Sequence, residues 1–195
     1  MSINKHEKYL VFDDKFISER KDVYNRTEVL PPALYEVQYD SRADRYHFET
    51  ISLHMDEILE LPDSLMKKVI ALIDKFWSTD LTEKYHLYGL VQKLGILFYG
   101  SPGTGKTVIM ARIAKRVMEM GGIILFNPPV GILANTLKVI REIEPNKKIV
   151  VLWEEFDSVI SGSESELLCM LDGENQVTYE GRDFVKQYIA RYEDK

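Results

Sequence analysis

The second half of the chain is marked by three short runs of consecutive apolar residues: Gly95-Ile96-Leu97-Phe98-Tyr99, Ile123-Ile124-Leu125-Phe126 and Ile149-Val150-Val151-Leu152-Trp153. Each is too short for a helix and too uniformly apolar for a one-sided strand, so each predicts a buried strand. Between them lie helical patterns. Thr107 to Met120 places Ile109, Ile113, Ala114 and Val117 on one face and is stopped by Gly121-Gly122, as a glycine C-cap requires. Asn127-Pro128-Pro129 breaks the second run, and Leu137 to Ile143 reads as a helix ended by Pro145-Asn146. Buried strands alternating with helices predict a parallel sheet covered on both faces.

The first half has a different texture. Ala33 to Tyr39 and Tyr46 to Leu53 are rich in β-branched and aromatic residues and flank the polar stretch Asp40 to Asp44, which predicts a β-hairpin or two neighbouring strands. Leu61-Pro62-Asp63-Ser64 opens a helix whose apolar face is Leu65, Val69, Leu72, Ile73 and Phe76, ending near Trp77-Ser78-Thr79. Residues 79–94 read as a connector, with Tyr85, Tyr88 and Gly89 near its middle. Residues 1–30 are highly charged, and their apolar clusters Tyr9 to Phe12 and Phe16-Ile17 predict a short helix or a docking arm. These patterns divide the chain into an N-terminal region with a hairpin (1–60), a helix and linker (61–94), a core of alternating strands and helices (95–176) and a polar helical tail (177–195).

Composition narrows the class. A 195-residue chain with 45% hydrophobic and 29% charged residues has the makeup of a globular protein. A net charge of −6 makes a dedicated nucleic-acid surface an unlikely partner. Cys169 is the only cysteine, which removes an internal disulfide and a cysteine-rich metal site and suits a reducing compartment. No stretch approaches the roughly 18 apolar residues of a membrane span, and Met1 to Lys8 lacks a signal peptide's apolar core. The expectation is a cytoplasmic protein. His47 and His54 have no acidic or cysteine company and receive no role.

The chemistry begins where the first apolar run ends. Gly100-Ser101-Pro102-Gly103-Thr104-Gly105-Lys106-Thr107 fits the phosphate-binding loop pattern G-x-x-x-x-G-K-[ST]. The glycines let the backbone wrap phosphates so that successive N–H groups point inward, and the positive end of the following helix adds to the field. In such a loop Lys106 supplies charge to the β- and γ-phosphates, and the Thr107 hydroxyl is placed to ligate Mg²⁺. Downstream, the third run passes directly into Glu154-Glu155-Phe156-Asp157, a Walker B arrangement. Here one acid holds the water shell of Mg²⁺ and the next polarises the attacking water. Asp157 reads as the cap of the following helix, and Ser163 with Glu166 as a capping box.

Together with Glu166-Leu167-Leu168-Cys169-Met170-Leu171-Asp172-Gly173, these motifs resemble the AAA family of ATPases over residues 45–175. The Leu-Pro-Asp stretch and the Gly-Ile-Leu-Phe-Tyr-Gly run-in are similar to the subgroup containing the mitochondrial Rieske-protein translocase and its soluble bacterial and viral relatives. The resemblance implies a P-loop NTPase three-layer α/β/α fold, here an incomplete AAA module, with ATP and Mg²⁺ as cofactors and a homo-oligomeric ring acting on a protein substrate. By position, Gly100 to Thr107 would bind nucleotide, Thr107 and Glu154 the metal, and Lys106 and Glu155 would carry catalysis. Glu154 stands where most of the family has Asp; the extra methylene moves the carboxylate by about 1.5 Å, and the resembling subgroup also carries Glu.

The resemblance further implies a strand ending in a sensor residue, lying between the P-loop strand and the Walker B strand, then an arginine finger and a helical lid. Val177-Thr178-Tyr179 is too short for that strand, and Asp183 to Tyr192 reads as a polar amphipathic helix carrying Phe184, Tyr188 and Ile189. The expectation is a truncated or interrupted gene product with impaired hydrolysis, since an arginine finger is worth about 10³–10⁵ in rate. The family's pore loop would fall at Asn127 to Asn135, where Val130-Gly131 replaces the aromatic signature. Three functions compete: an AAA-type ATPase that in complete form remodels proteins; a non-catalytic nucleotide-binding or regulatory module acting on full-length relatives; and a small-molecule kinase, for which a basic lid is lacking.

Overall fold

The computed structural model describes residues 8–12, 15–19, 26–27, 29–52, 64–90 and 92–172. These residues fall into two compact units, one built from the stretches up to residue 52 with 114–172, the other from 64–113. The expectations for Leu61 to Asp63 and for residues 177–195 lie outside the described residues.

The first unit is a seven-stranded mixed sheet. Its strands are β1 (Lys8–Phe12), β2 (Lys15–Glu19), β3 (Arg26–Thr27), β4 (Leu34–Asp40), β5 (Arg45–Ile51), β6 (Ile123–Phe126) and β7 (Ile149–Leu152), in the order β3-β1-β2-β5-β4-β6-β7. The hairpin β4–β5 forms as expected, with Leu34 opposite Ile51 and Asp40 opposite Arg45. The Asp40 carboxylate accepts the Arg42 amide at 2.9 Å, an Asx turn that explains why this polar stretch reverses the chain. The apolar clusters of the N-terminal region are strands rather than a helix, and β2 extends the hairpin by pairing with β5.

The expected parallel pair is present: β6 and β7 run side by side from Ile123 opposite Ile149 to Phe126 opposite Leu152. The expected third member is not. Residues 92–99 contain no strand, and Leu97 and Tyr99 are 67% and 90% exposed. The second edge of β6 is taken instead by β4, which pairs with it in parallel through Leu34–Ile124 and Tyr35–Leu125. The parallel run β4-β6-β7 continues into the antiparallel strands of the hairpin and the N-terminal region, so the sheet is mixed, an α/β arrangement of the kind expected.

Helix α4 (Val130–Ile143) connects β6 to β7 and covers one face of the sheet. Leu133, Val139 and Ile140 pack with Tyr35, Phe48 and Leu125, every one of them 5% exposed or less. The helix begins seven residues earlier than the periodicity predicts, and the loop expected over Asn127 to Asn135 shrinks to Asn127-Pro128-Pro129. Ahead of β6, helix α3 (Lys106–Glu119) ends in a Schellman motif: Gly122 N–H bonds Val117 C=O and Gly121 N–H bonds Met118 C=O, each at 2.9 Å, with Gly121 at φ 76°. A side chain on Gly122 would meet Val117 Cγ1 at 2.6 Å and Lys148 O at 2.9 Å.

A buried ion pair ties the hairpin to the loop before β7. Glu144 accepts the Leu30 amide at 2.7 Å and pairs with Lys147 at 3.0 Å, while the Lys147 ammonium donates to the Leu30 carbonyl. Both side chains are at most 10% exposed. Burial, with the Glu144 charge second, raises the Tyr35 phenol well above its usual range, so it stays protonated and donates to Pro31 O at 2.8 Å.

The second unit holds α1 (Ser64–Phe76) and α2 (Thr79–Leu87). On α1, Val69 and Ile73 are buried whereas Leu65 and Leu72 are exposed. The expected connector is helical over its first nine residues, α2, with Asp80 and Lys84 paired at 2.9 Å. Among the described residues no helix is long and apolar enough to cross a membrane.

Two substitutions test this architecture by urea unfolding. Lys147→Met leaves Glu144 buried without its cation and is expected to cost about 3–5 kcal/mol. Gly122→Ala forces a methyl against backbone and is expected to cost about 1–3 kcal/mol.

Candidate functional site

The residues singled out by sequence form two separate clusters. Gly100 to Thr107 belongs to the second unit and Glu154-Glu155 to the first.

In the first cluster the backbone needs its glycines for conformation. Gly100, Gly103 and Gly105 have φ of 147°, 78° and 83°, and a Cβ at Gly103 or Gly105 would meet nothing within 4 Å. Their value is therefore access to the left-handed region, not space. Lys106 opens α3 and folds its ammonium back over the loop, donating to Gly100 O at 2.8 Å and Ser101 O at 2.9 Å, with Thr104 Oγ1 at 3.5 Å. The Thr104 hydroxyl in turn donates to Ser101 O at 2.9 Å. Thr107 is the second residue of the helix and is exposed, as are Ser101 and Pro102 in the turn. The geometry gathers an ammonium and the amides of a first helical turn at the positive end of a 14-residue helix. An anion placed there would meet charge and unpaired N–H donors together.

The second cluster sits where β7 ends. Three hydrogen bonds latch the Asn127-Pro128-Pro129 turn to this strand end: Asn127 N–H to Leu152 O at 2.8 Å, Glu154 N–H to Asn127 Oδ1 at 2.8 Å, and Trp153 Nε1–H to Pro128 O at 2.9 Å. Glu154 is half-buried and Glu155 exposed. Glu155 has φ 48° and ψ 51°, a left-handed backbone unusual for a non-glycine residue, and it stands at the N-cap of the short helix α5 (Phe156–Ile160). Its carbonyl accepts Ser158 N–H at 2.9 Å and Ser158 O–H at 2.8 Å, which fixes the turn. Strain of this kind, of order 1–2 kcal/mol, persists where surrounding bonds over-determine it.

Several sequence expectations change here. Asp157 lies in the first turn of α5 and is not its cap; Glu155 holds that position. Ser163 precedes α6 (Glu164–Asp172) and its carbonyl accepts Leu167 N–H at 3.0 Å. A Cβ added at Gly131, in the first turn of α4, would lie 3.6 Å from Glu166 Oε2. Asn127 is the residue that sequence reading missed. It reads as a strand breaker, yet it holds the acidic turn through its side chain; a polar residue ending the strand next to the acid-bearing one was the available signal. Among the described residues no group of three or more His, Cys, Asp or Glu could by itself hold a metal ion.

Asn127 and Glu155 yield opposite stability predictions, read as urea midpoints. Asn127→Ala loses the latch and puts alanine, which tolerates the left-handed region less readily than asparagine, at φ 44°, an expected loss of about 1–2 kcal/mol. Glu155→Gly relieves a left-handed residue and is expected to gain about 1 kcal/mol.

Comparison with known proteins follows this geometry. Residues 96–185 match the model of the ATPase family associated with various cellular activities (AAA). ATPase family gene 2 protein homolog B of Bos taurus is 32% identical over 94 residues, 46% of this chain and 12% of that protein. Peroxisomal ATPase PEX6 of Komagataella pastoris is 40% identical over 76 residues, 36% of this chain and 6% of that protein. The same proteins from Mus musculus (33%) and Debaryomyces hansenii (38%) match over the same lengths. Residues 96–185 are thus similar to the AAA family, and the chain spans 12% or less of the length of these relatives. No solved structure matches.

Proposed function

We propose that this chain binds ATP with magnesium through Gly100 to Thr107, and that its complete form hydrolyses ATP to drive remodelling of a protein substrate by an assembly of copies. The observation that carries this reading is the Lys106 ammonium held at the start of α3 inside a loop of three left-handed glycines. The AAA match over residues 96–185 supports it, and so does the naming of both relatives as ATPases.

Within this reading each residue has one task. The amides of Gly103 to Lys106 and the Lys106 ammonium hold the β- and γ-phosphates, exchanging loop carbonyls for phosphate oxygens. Magnesium, when bound, neutralises charge on those oxygens. Thr107 would supply a hydroxyl to it and Glu154 a carboxylate. Glu155, exposed at the end of the strand, accepts the proton of the attacking water. Membership of the Rieske-translocase subgroup rests on the Leu61-Pro62-Asp63 and Gly95-to-Gly100 likeness alone. Cytoplasmic location rests on the single cysteine.

A second reading is favoured by one observation. The run-in to the loop, Ile96 to Tyr99, has no strand structure, and Ile96, Leu97 and Tyr99 are exposed. A loop on an unanchored run-in suits a non-catalytic module that binds nucleotide and regulates full-length relatives.

Calorimetric titration with magnesium-ATP is expected to show saturable binding that Lys106→Ala weakens at least tenfold, about 1.4 kcal/mol. Phosphate release separates the two readings. The ATPase reading expects turnover that Glu155→Gln reduces by about 10²–10⁴ with binding retained; binding without any turnover supports the regulatory module.

A further inference from the structure

The passage from β7 into α5 turns at Glu155. Its φ of 48° and ψ of 51° lie in the left-handed region, where glycine rests without strain and a glutamate does not. Both of its neighbours are held within the first unit. The Glu154 amide donates to Asn127 Oδ1 at 2.8 Å, and the Phe156 ring lies against Trp153 with centroids 5.8 Å apart. A carboxylate therefore stands where backbone ease asks for glycine, and strain kept at such a point directs attention to chemistry.

What holds the strain converges on one carbonyl. Glu155 C=O accepts the Ser158 amide at 2.9 Å, the Val159 amide at 3.4 Å and the Ser158 hydroxyl at 2.8 Å. The two amides belong to the helical backbone, and any residue except proline would supply them. The hydroxyl is an extra donor that an alanine there would lack. One hydrogen bond shifts a local equilibrium by roughly two- to tenfold, which is comparable to the bias of a glutamate against the left-handed region. It is thus large enough to decide which backbone state Glu155 occupies.

We propose that Ser158 is a positioning residue: its hydroxyl keeps Glu155 left-handed and so fixes the point from which that carboxylate acts. The consequence for turnover rests on the reading of Glu155 as acceptor of the attacking water's proton; the hold on the backbone does not. Ser158 is exposed, so removing its hydroxyl opens no cavity in the core.

Four chains separate this hold from ordinary helix stability: wild type, Glu155→Gly, Ser158→Ala and the double variant, compared by urea midpoint. Glu155→Gly is expected to raise the midpoint of the otherwise wild-type chain by relieving the strain. On the Ser158→Ala background that rise is expected to shrink by about half or more, because the backbone has already left the left-handed region. An equal rise on both backgrounds would mean that the amides alone hold the turn, and would overturn the proposal. Turnover is the second arm. Ser158→Ala is expected to lower kcat for magnesium-ATP about three- to tenfold with KM unchanged, and Ser158→Thr to recover most of that loss. On a Glu155→Gln background Ser158→Ala is expected to have no further effect. A raised KM with kcat intact, or the same fractional loss beside Glu155→Gln, would contradict the positioning role. A wild-type chain that releases no phosphate would remove the hydrolytic reading, and the four midpoints would still decide the hold.

Discussion

The first unit depends on one strand, β6, being paired on both edges. Ile123, Ile124 and Leu125 are fully buried because β4 closes one side, β7 the other, and α4 covers a face. Burying a Leu or Ile side chain contributes about 1.5–3 kcal/mol, and three in succession need every backbone group between them paired. From this strand the rest follows. Its N-terminal end fixes the Schellman turn of α3 through Gly122. Its C-terminal end carries Asn127, which orients the acidic turn after β7. The Glu144–Lys147 pair holds the approach to β4, so the strand that closes this side of β6 is itself clamped at Leu30.

Much of this was legible in the sequence because it is local. The glycine pattern of residues 100–107 dictates a left-handed path wherever it folds, and the structure gives positive φ at each of the three glycines. Gly121 after a helical stripe predicts a C-cap, and Asp40 to Asp44 between two β-rich runs predicts a reversal; both are present. The run Ile123 to Phe126 reads as buried, and Ile123, Ile124 and Leu125 are fully so.

What was not legible depends on contacts distant in sequence. Gly95 to Tyr99 has the composition of a core strand, but composition does not say which edge is free. The edge of β6 is taken by β4 from the far end of the chain. The start of α4 was misread because Pro129 and Gly131 look like loop residues. Proline is compatible with a helix start, and the roughly 1 kcal/mol cost of a helical glycine is offset by the packing of Leu133 and Ile140. The left-handed Glu155 follows no propensity, since only the bonds of Ser158 to its carbonyl and the latch of Asn127 to its neighbour hold it there.

The central claim is that a glycine-loop cation and an acid from a separate strand act on one magnesium-nucleotide. The direct measurement is ATP affinity with and without magnesium, in the wild-type chain and in Glu154→Gln. The account predicts that magnesium tightens binding in the wild type, that Glu154→Gln loses this increment, and that metal-free affinity stays the same in both. An increment of equal size in the two proteins would contradict it.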